Sequence, residues 1–302
     1  MGWLVGTRNG LFGQGGDHWL DGREITASVP DADGWWALAD GRDVIRFQGG
    51  AVEAIASIEE ELGRCMLPVD GGVLVGTANA RIAFARSGSI EMLTSFDGAK
   101  GRDRWYTPWG GPPDTRSLSA APDGALFANV HVGGILRARD PHDTWEPTID
   151  IDADVHQVLA DPIRAGHVVA ATALGLAESL DGGDTWRFIT DGLHAAYARA
   201  VALDGEELFL SASVGPRGGR AAVYRLPPGE MAFVRSTGGL PDRFGQNIDS
   251  HCLAAGGGTV IFGAEGGRLF VSEDGGASWR DAGTTYPEIT CVAVADSEGP
   301  GP

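Results

Sequence analysis

The sequence predicts an all-β chain, with seven four-stranded antiparallel sheets set in a ring. Three observations predict it. Short apolar runs with strand period recur in groups of four. The groups return at intervals of roughly 40 to 50 residues, the length of one blade of a four-stranded β-propeller. Glycine is the third: 47 of 302 residues is about twice average usage. With few helix-period stretches, that excess calls for many tight turns.

The elements justify the count in order. Groups open on apolar runs at 25–29, 65–69, 117–121, 157–160, 200–203, 252–255 and 291–294. The second strands are expected at 4–7, 35–39, 73–77, 126–131, 168–172, 208–211 and 260–263. The chain begins on a second strand and its last apolar run is a first strand. The two halves therefore complete one blade, which closes the ring and leaves no free sheet edge. The unit at 25–58 is weak, and without it the count would be six. Its strands at 35–39, 44–48 and 52–58 alternate well enough to keep seven. One domain is expected over 1–302, with a disordered tail at 296–302.

Two stretches share the pattern Ser-x-Asp-Gly-Gly-x-Thr/Ser-Trp: Ser179 to Trp186 and Ser272 to Trp279. Gly182, Gly183, Gly275 and Gly276 supply positive φ angles. Asp181 and Asp274 accept hydrogen bonds inside the turn, and Trp186 and Trp279 cover the hairpin base. The pattern resembles the Asp-box, or BNR repeat, of sialidases, sortilin-type receptors and photosystem assembly factors. The box is a turn device in enzymes and binding proteins alike, so these Asp residues read as structural. Weakened versions at Asp17 to Trp19 and Asp140 to Trp145 keep the aromatic and lose the glycine pair.

Composition narrows the function. A net charge of −18 argues against binding nucleic acid or an anionic membrane through overall charge. No run approaches the apolar length of a membrane span. The first residues lack the charged and apolar regions of a signal peptide. Three widely spaced cysteines make no disulfide framework. A cytoplasmic protein is the expectation. Cys65, Cys252 and Cys291 fall at equivalent places in first strands and read as inert small hydrophobes.

In a propeller, first-strand starts and the turns between second and third strands share the top face. Four of the seven histidines fall there: His131, His156, His194 and His251. The residues just before the first strands are Glu24, Arg64, Arg116, His156, Arg199, His251 and Thr290. Five of these seven are Arg or His, which suggests a cationic ring at the channel mouth. Each arginine could equally pair with a carboxylate, the candidates being Glu59 to Glu61, Asp114, Asp152, Asp154, Asp249 and Glu288.

Two chemistries follow. Arg64, Arg116 and Arg199 have the forked donors that hold a carboxylate or phosphate, with His251, Trp109 and Arg220 as further ligand-binding residues. The resemblance implies such an arginine triad, because sialidases use one. Sialidases are six-bladed, however, their Arg-Ile-Pro-type motif is absent here, and Tyr197 and Tyr286 single out no nucleophile. Alternatively, His131, His156 and His194 with Asp154 hold a divalent metal (Zn, Mn, Fe or Ni); otherwise there is no cofactor. His156, His194 and Tyr197 are the candidate catalytic groups.

Three long insertions, at 96–115, 213–220 and 237–249, carry Trp105, Trp109, Arg217 and Arg220. Loops of this length are often functional. The expected function is a small-molecule site for an anionic or polyoxygenated ligand, served by a metal-assisted hydrolase or lyase. The alternatives are a non-catalytic assembly propeller that meets a protein partner through 96–115 and 237–249, and a sialidase-like glycosidase.

Overall fold

The computed structural model describes residues 2–48 and 50–295. The tail expected from residue 296 onward lies outside them. Seven four-stranded antiparallel sheets form the ring, with almost no helix between them. We number the blades in chain order. Blade 1 contains Trp3–Thr7, Gly10–Gly13 and His18–Trp19, and its innermost strand is Ile289–Val294. Val5 pairs with Val292 across that closure. The weak unit is a complete blade 2: Ile25–Asp31, Gly34–Ala39, Asp43–Gln48 and Ala51–Ser57. The six-bladed alternative is therefore wrong.

The first strands of blades 3 to 7 are Gly63–Val69, Thr115–Ala120, Val155–Ala160, Tyr197–Asp204 and Leu253–Gly256. Each packs on the first strands of its neighbours, so together they line the axis. Second strands such as Leu126–Val130 and Val168–Thr172 are buried at every residue. Neighbouring blades cover both faces of each sheet, which is why these strands read as continuous apolar runs. Trp145 fills the space between blades 3 and 4. It is fully buried and meets Phe96 edge-on at 5.2 Å between ring centroids.

The two Ser-x-Asp-Gly-Gly turns are nearly identical. Thr185 donates its backbone N–H to Asp181 Oδ1 at 2.9 Å and its hydroxyl to Oδ2 at 2.6 Å. Ser179 Oγ donates to Asp181 Oδ1 at 2.8 Å and accepts from Gly183 N at 2.8 Å. Trp186 Nε1 donates to Gly183 O at 3.1 Å. Asp274, Ser272, Ser278, Gly276 and Trp279 repeat the pattern. The hydrogen bonds from Thr185 and Ser278 hold both carboxyls down at about 2. Gly276 has φ 79°, and a Cβ there would lie 2.6 Å from the Phe209 ring of the neighbouring blade. The carboxylates are fully used within the turn, on the face opposite the channel mouth.

Candidate functional site

The innermost strands share a defect that sets up the site. In six blades the pairing with the second strand slips by one residue at the same level. The slip falls between Ile25 and Ala27, Gly63 and Cys65, Thr115 and Ser117, and Val155 and Gln157. It recurs between Ala198 and Val201 and opposite Gly6 and Thr7. The extra residues are Thr26, Arg64, Arg116, His156, Arg199 and Thr290. A β-bulge re-aims the side chain that it leaves unpaired. Arg64, Arg116, His156, Arg199 and Thr290, expected just before the strands, therefore lie inside them as bulge residues, whereas His251 precedes its strand, Leu253–Gly256. In blade 2 the equivalent residue is Thr26, not Glu24.

The structure settles which arginines are paired. Arg64 Nε donates to Asp114 Oδ2 at 3.0 Å. Arg199 Nε donates to Asp249 Oδ1 at 2.8 Å, and its guanidinium also reaches the Tyr197 hydroxyl at 3.3 Å. Arg116 differs, with no carboxylate oxygen within 4.0 Å of its guanidinium among the described residues. Burial, and then the Arg199 charge, push the Arg116 guanidinium below its ordinary value.

Beside these arginines lie two buried imidazoles and one carboxylate. His156 Nδ1 donates to Ala198 O at 2.6 Å, which fixes the tautomer and leaves Nε2 with a lone pair. Burial, then Arg199, push His156 down to about 3. Burial, then Arg116, push His131 down to about 4. Both rings are therefore neutral at pH 7. Asp154 is in the left-handed region, with φ 46°. Its Oδ1 is 3.7 Å from His131 Nε2 and its Oδ2 is 3.7 Å from His156 Nε2. Burial raises the Asp154 carboxyl against the pull of Arg116 and Arg199, and Oδ1 is buried without a hydrogen-bond partner. Two acceptors, Asp154 Oδ2 and His156 Nε2, thus face each other with no donor between them. A hydroxyl, with its one proton, satisfies either one of them.

Below the mouth the channel is bridged. Ser250 Oγ lies 3.1 Å from His156 O and 2.9 Å from Arg199 O. His251, at φ 65°, donates Nε2–H to Arg116 O at 2.7 Å, from blade 7 across to blade 4. Gln157 Oε1 accepts from His251 N at 3.3 Å. His251 is therefore a cross-channel tie, with its Nε2 engaged by the backbone of blade 4. Ser250 and Gln157 complete the tie, and nothing in their sequence positions signals it. Beyond the bridge, an apolar cavity of about 860 Å³ runs to the opposite face, lined by Leu159, Val201, Leu203, Leu253 and Val294.

Other expected residues are placed as follows. Trp109 is 72% exposed and lies over His131 at 4.8 Å, so it walls the site. Tyr197 packs on His156 at 4.8 Å. His194 is not at the mouth: its Nδ1 bonds the Tyr224 hydroxyl at 2.6 Å on the third strand of blade 6. Arg220 lies near His194 as well. The four residues expected to bind a metal therefore do not converge. Among the described residues, no three His, Cys, Asp or Glu side chains form a metal-holding group. The three cysteines are buried and unbridged. Burial pushes the Cys65 thiol up to about 12 and raises Cys252 and Cys291 as well.

The insertions are only partly free. Phe96 and Trp105 pack into the core, leaving Tyr106 and Trp109 exposed. Phe244 anchors 237–249 edge-on against the stacked Phe262 and Phe270 and bridges Ala221.

The fold is that of a seven-bladed β-propeller. A GH74 xyloglucanase from Xanthomonas campestris superposes with TM-score 0.63 at 13% identity, over 92% of this chain and 46% of that one. This chain thus spans about half of that enzyme. A 6-phosphogluconolactonase-like protein from Bacteroides uniformis gives TM-score 0.62 at 16% identity, over 96% and 98% of the two chains. YCF48 from Cyanidioschyzon merolae gives TM-score 0.58 at 15% identity, over 94% and 88%. At such identities the likeness shows the fold alone. No family profile and no curated protein sequence matches the chain. No helix among the described residues is long and apolar enough to cross a membrane.

Proposed function

We propose that the channel mouth binds a small anionic, polyhydroxylated molecule and acts on it by hydrolysis or elimination. The observation that carries this reading is Arg116. Its guanidinium is partly buried and, among the described residues, lacks a carboxylate, although Arg64 on blade 3 and Arg199 on blade 6 each have one. A carboxylate or phosphate of the ligand supplies the missing partner, in the paired geometry that guanidinium favours. A ligand hydroxyl donates its one proton to Asp154 or to His156, where a donor is lacking. His156 Nε2, neutral with its lone pair free, accepts a hydrogen bond and orients the ligand. Asp154, with its carboxyl raised, is the proton carrier. Trp109 and Tyr197 supply apolar faces against a ring or carbon chain. The turns that fix the blades are, in this reading, of the Asp-box type.

The test is a panel of small carboxylates, sugar acids and phosphates measured by calorimetry against the wild type and Arg116→Gln. At least one ligand should bind, and the variant should lose about tenfold or more, the worth of one charge-assisted pair. Binding that is indifferent to Arg116→Gln would sink the reading. If no panel member binds and Trp109→Ala abolishes capture of a protein partner instead, an assembly role is favoured.

A further inference from the structure

Outside the mouth, one cluster is strongly cationic in an acidic protein. On blade 6, Tyr224 belongs to the third strand, Ala222–Leu226, and pairs with Arg235 of the fourth, Val234–Arg235. Paired residues share a face, so Arg235 stands beside Tyr224. Ala221 bridges Phe244 of the 237–249 insertion, and both are buried in the core shared with blade 7. Their neighbours Arg220 and Arg243 lie close enough to His194 to act on its charge. Arg235 Nη1 and Arg243 Nη1 donate to the same Asp242 carbonyl, at 2.7 and 2.6 Å. Two guanidiniums are thus gathered on one oxygen, with Arg220 nearby.

Carboxylates do not balance this charge. The Asp242 side chain is the acid that reaches Arg235, at 3.4 Å, and it is almost fully exposed. Arg220 and Arg243 have no ion pair among the described residues. Arg243 Nε is buried without a hydrogen-bond partner. Burial, then Arg243 and Arg220, lower the proton affinity of His194. Gathered like charges with an unsatisfied polar atom need an explanation, and a bound anion supplies one.

We propose that blade 6 carries a second oxyanion site, formed by Arg220, Arg235, Arg243 and His194 around Tyr224, that takes a phosphate dianion. Three guanidiniums suit a tetrahedral group with several acceptor oxygens; His194 and Tyr224 share a proton between them at 2.6 Å and orient one another beside the cluster. The site stands independently of the channel mouth and shares no residue with it. The ligand is inorganic phosphate or the phosphate of a monoester.

Calorimetry with inorganic phosphate and with glycerol phosphate, each against sodium chloride of matched ionic strength, tests it. The wild type and Arg116→Gln should bind phosphate saturably and alike. Arg220→Gln/Arg243→Gln should lose at least tenfold. Tighter binding of glycerol phosphate than of inorganic phosphate identifies a monoester ligand, and the reverse identifies the free ion. If the double variant does not fold, Arg235→Gln and the His194 NMR signal replace it: phosphate should raise the His194 titration midpoint in the wild type. No saturable phosphate binding beyond chloride overturns the proposal. So does binding that the blade 6 variants leave intact and Arg116→Gln abolishes.

Discussion

His156 makes the pH dependence of stability a quantitative test of the site. In the unfolded chain a histidine titrates near 6.5. In the folded protein burial and Arg199 hold His156 down at about 3. Between those values the unfolded state binds a proton that the native state refuses, so stability falls as pH falls. The contribution is fully present above the unfolded midpoint and is lost progressively toward about 3. Over the interval from 6.5 to 4.5 the loss is about 2 kcal/mol. His131, held at about 4, adds a loss of similar sign and size. Carboxylates also titrate in the lower part of this range, so the histidine term needs isolating. His156→Asn does so, since its side-chain amide keeps a donor for Ala198 O and has no proton to take up. Urea unfolding of both proteins from pH 7 to about 4.5 gives the comparison. The stability gap between wild type and variant should narrow by about 2 kcal/mol as the pH falls. A constant gap across the range would mean that His156 is not buried neutral beside Arg199, and the account of the channel mouth would fail with it.

Other outcomes follow from the packing. Trp145→Ala should cost about 3–5 kcal/mol in chemical denaturation, because a fully buried indole leaves a cavity between two blades. Gly76→Ala would set a Cβ 2.5 Å from Cys65 Sγ and 2.7 Å from Thr115 Cγ2; the strain should cost about 1–3 kcal/mol, and adding Cys65→Ala should recover part of it. Trp109→Ala should leave stability within about 0.5 kcal/mol yet weaken ligand binding at the mouth in calorimetry. Asp181→Ala and Asp274→Ala should each lower the thermal midpoint without changing ligand affinity, since both carboxylates are spent inside their turns; a loss of affinity without a loss of stability would contradict that role.

The blades were legible because each second strand is covered on both faces and reads as an apolar run. Even the weak unit at 25–58 kept its alternation. The ring of Arg and His residues was legible as a column of equivalent positions, but its cause was not. A bulge is a matter of register, and no residue type announces it, which is why Glu24 was aligned where Thr26 stands. His194 was placed at the mouth by chain position, whereas the segment before blade 6 folds outward onto Tyr224. The cluster around Tyr224 was hidden for the same reason: Arg235 faces Tyr224 only once the pairing of the last two strands is known. Which arginines are paired depends on reach across blades, as from Arg64 to Asp114, and sequence spacing does not encode reach.

Blade 1 joins Trp3 to Val294. A chain made from its N-terminus has six blades to work with before the strand that seals the first one exists. Until then three strands of blade 1 present an unpaired edge, the kind of surface that recruits strands from other chains. Sealing also closes a loop of nearly the whole chain, which costs about 5 kcal/mol of entropy. The last six-residue strand must repay that cost through its pairing with Trp3–Thr7 and its packing on blades 2 and 7. The ring is thus held by a latch, and the time before the latch shuts is when this chain is most exposed to aggregation.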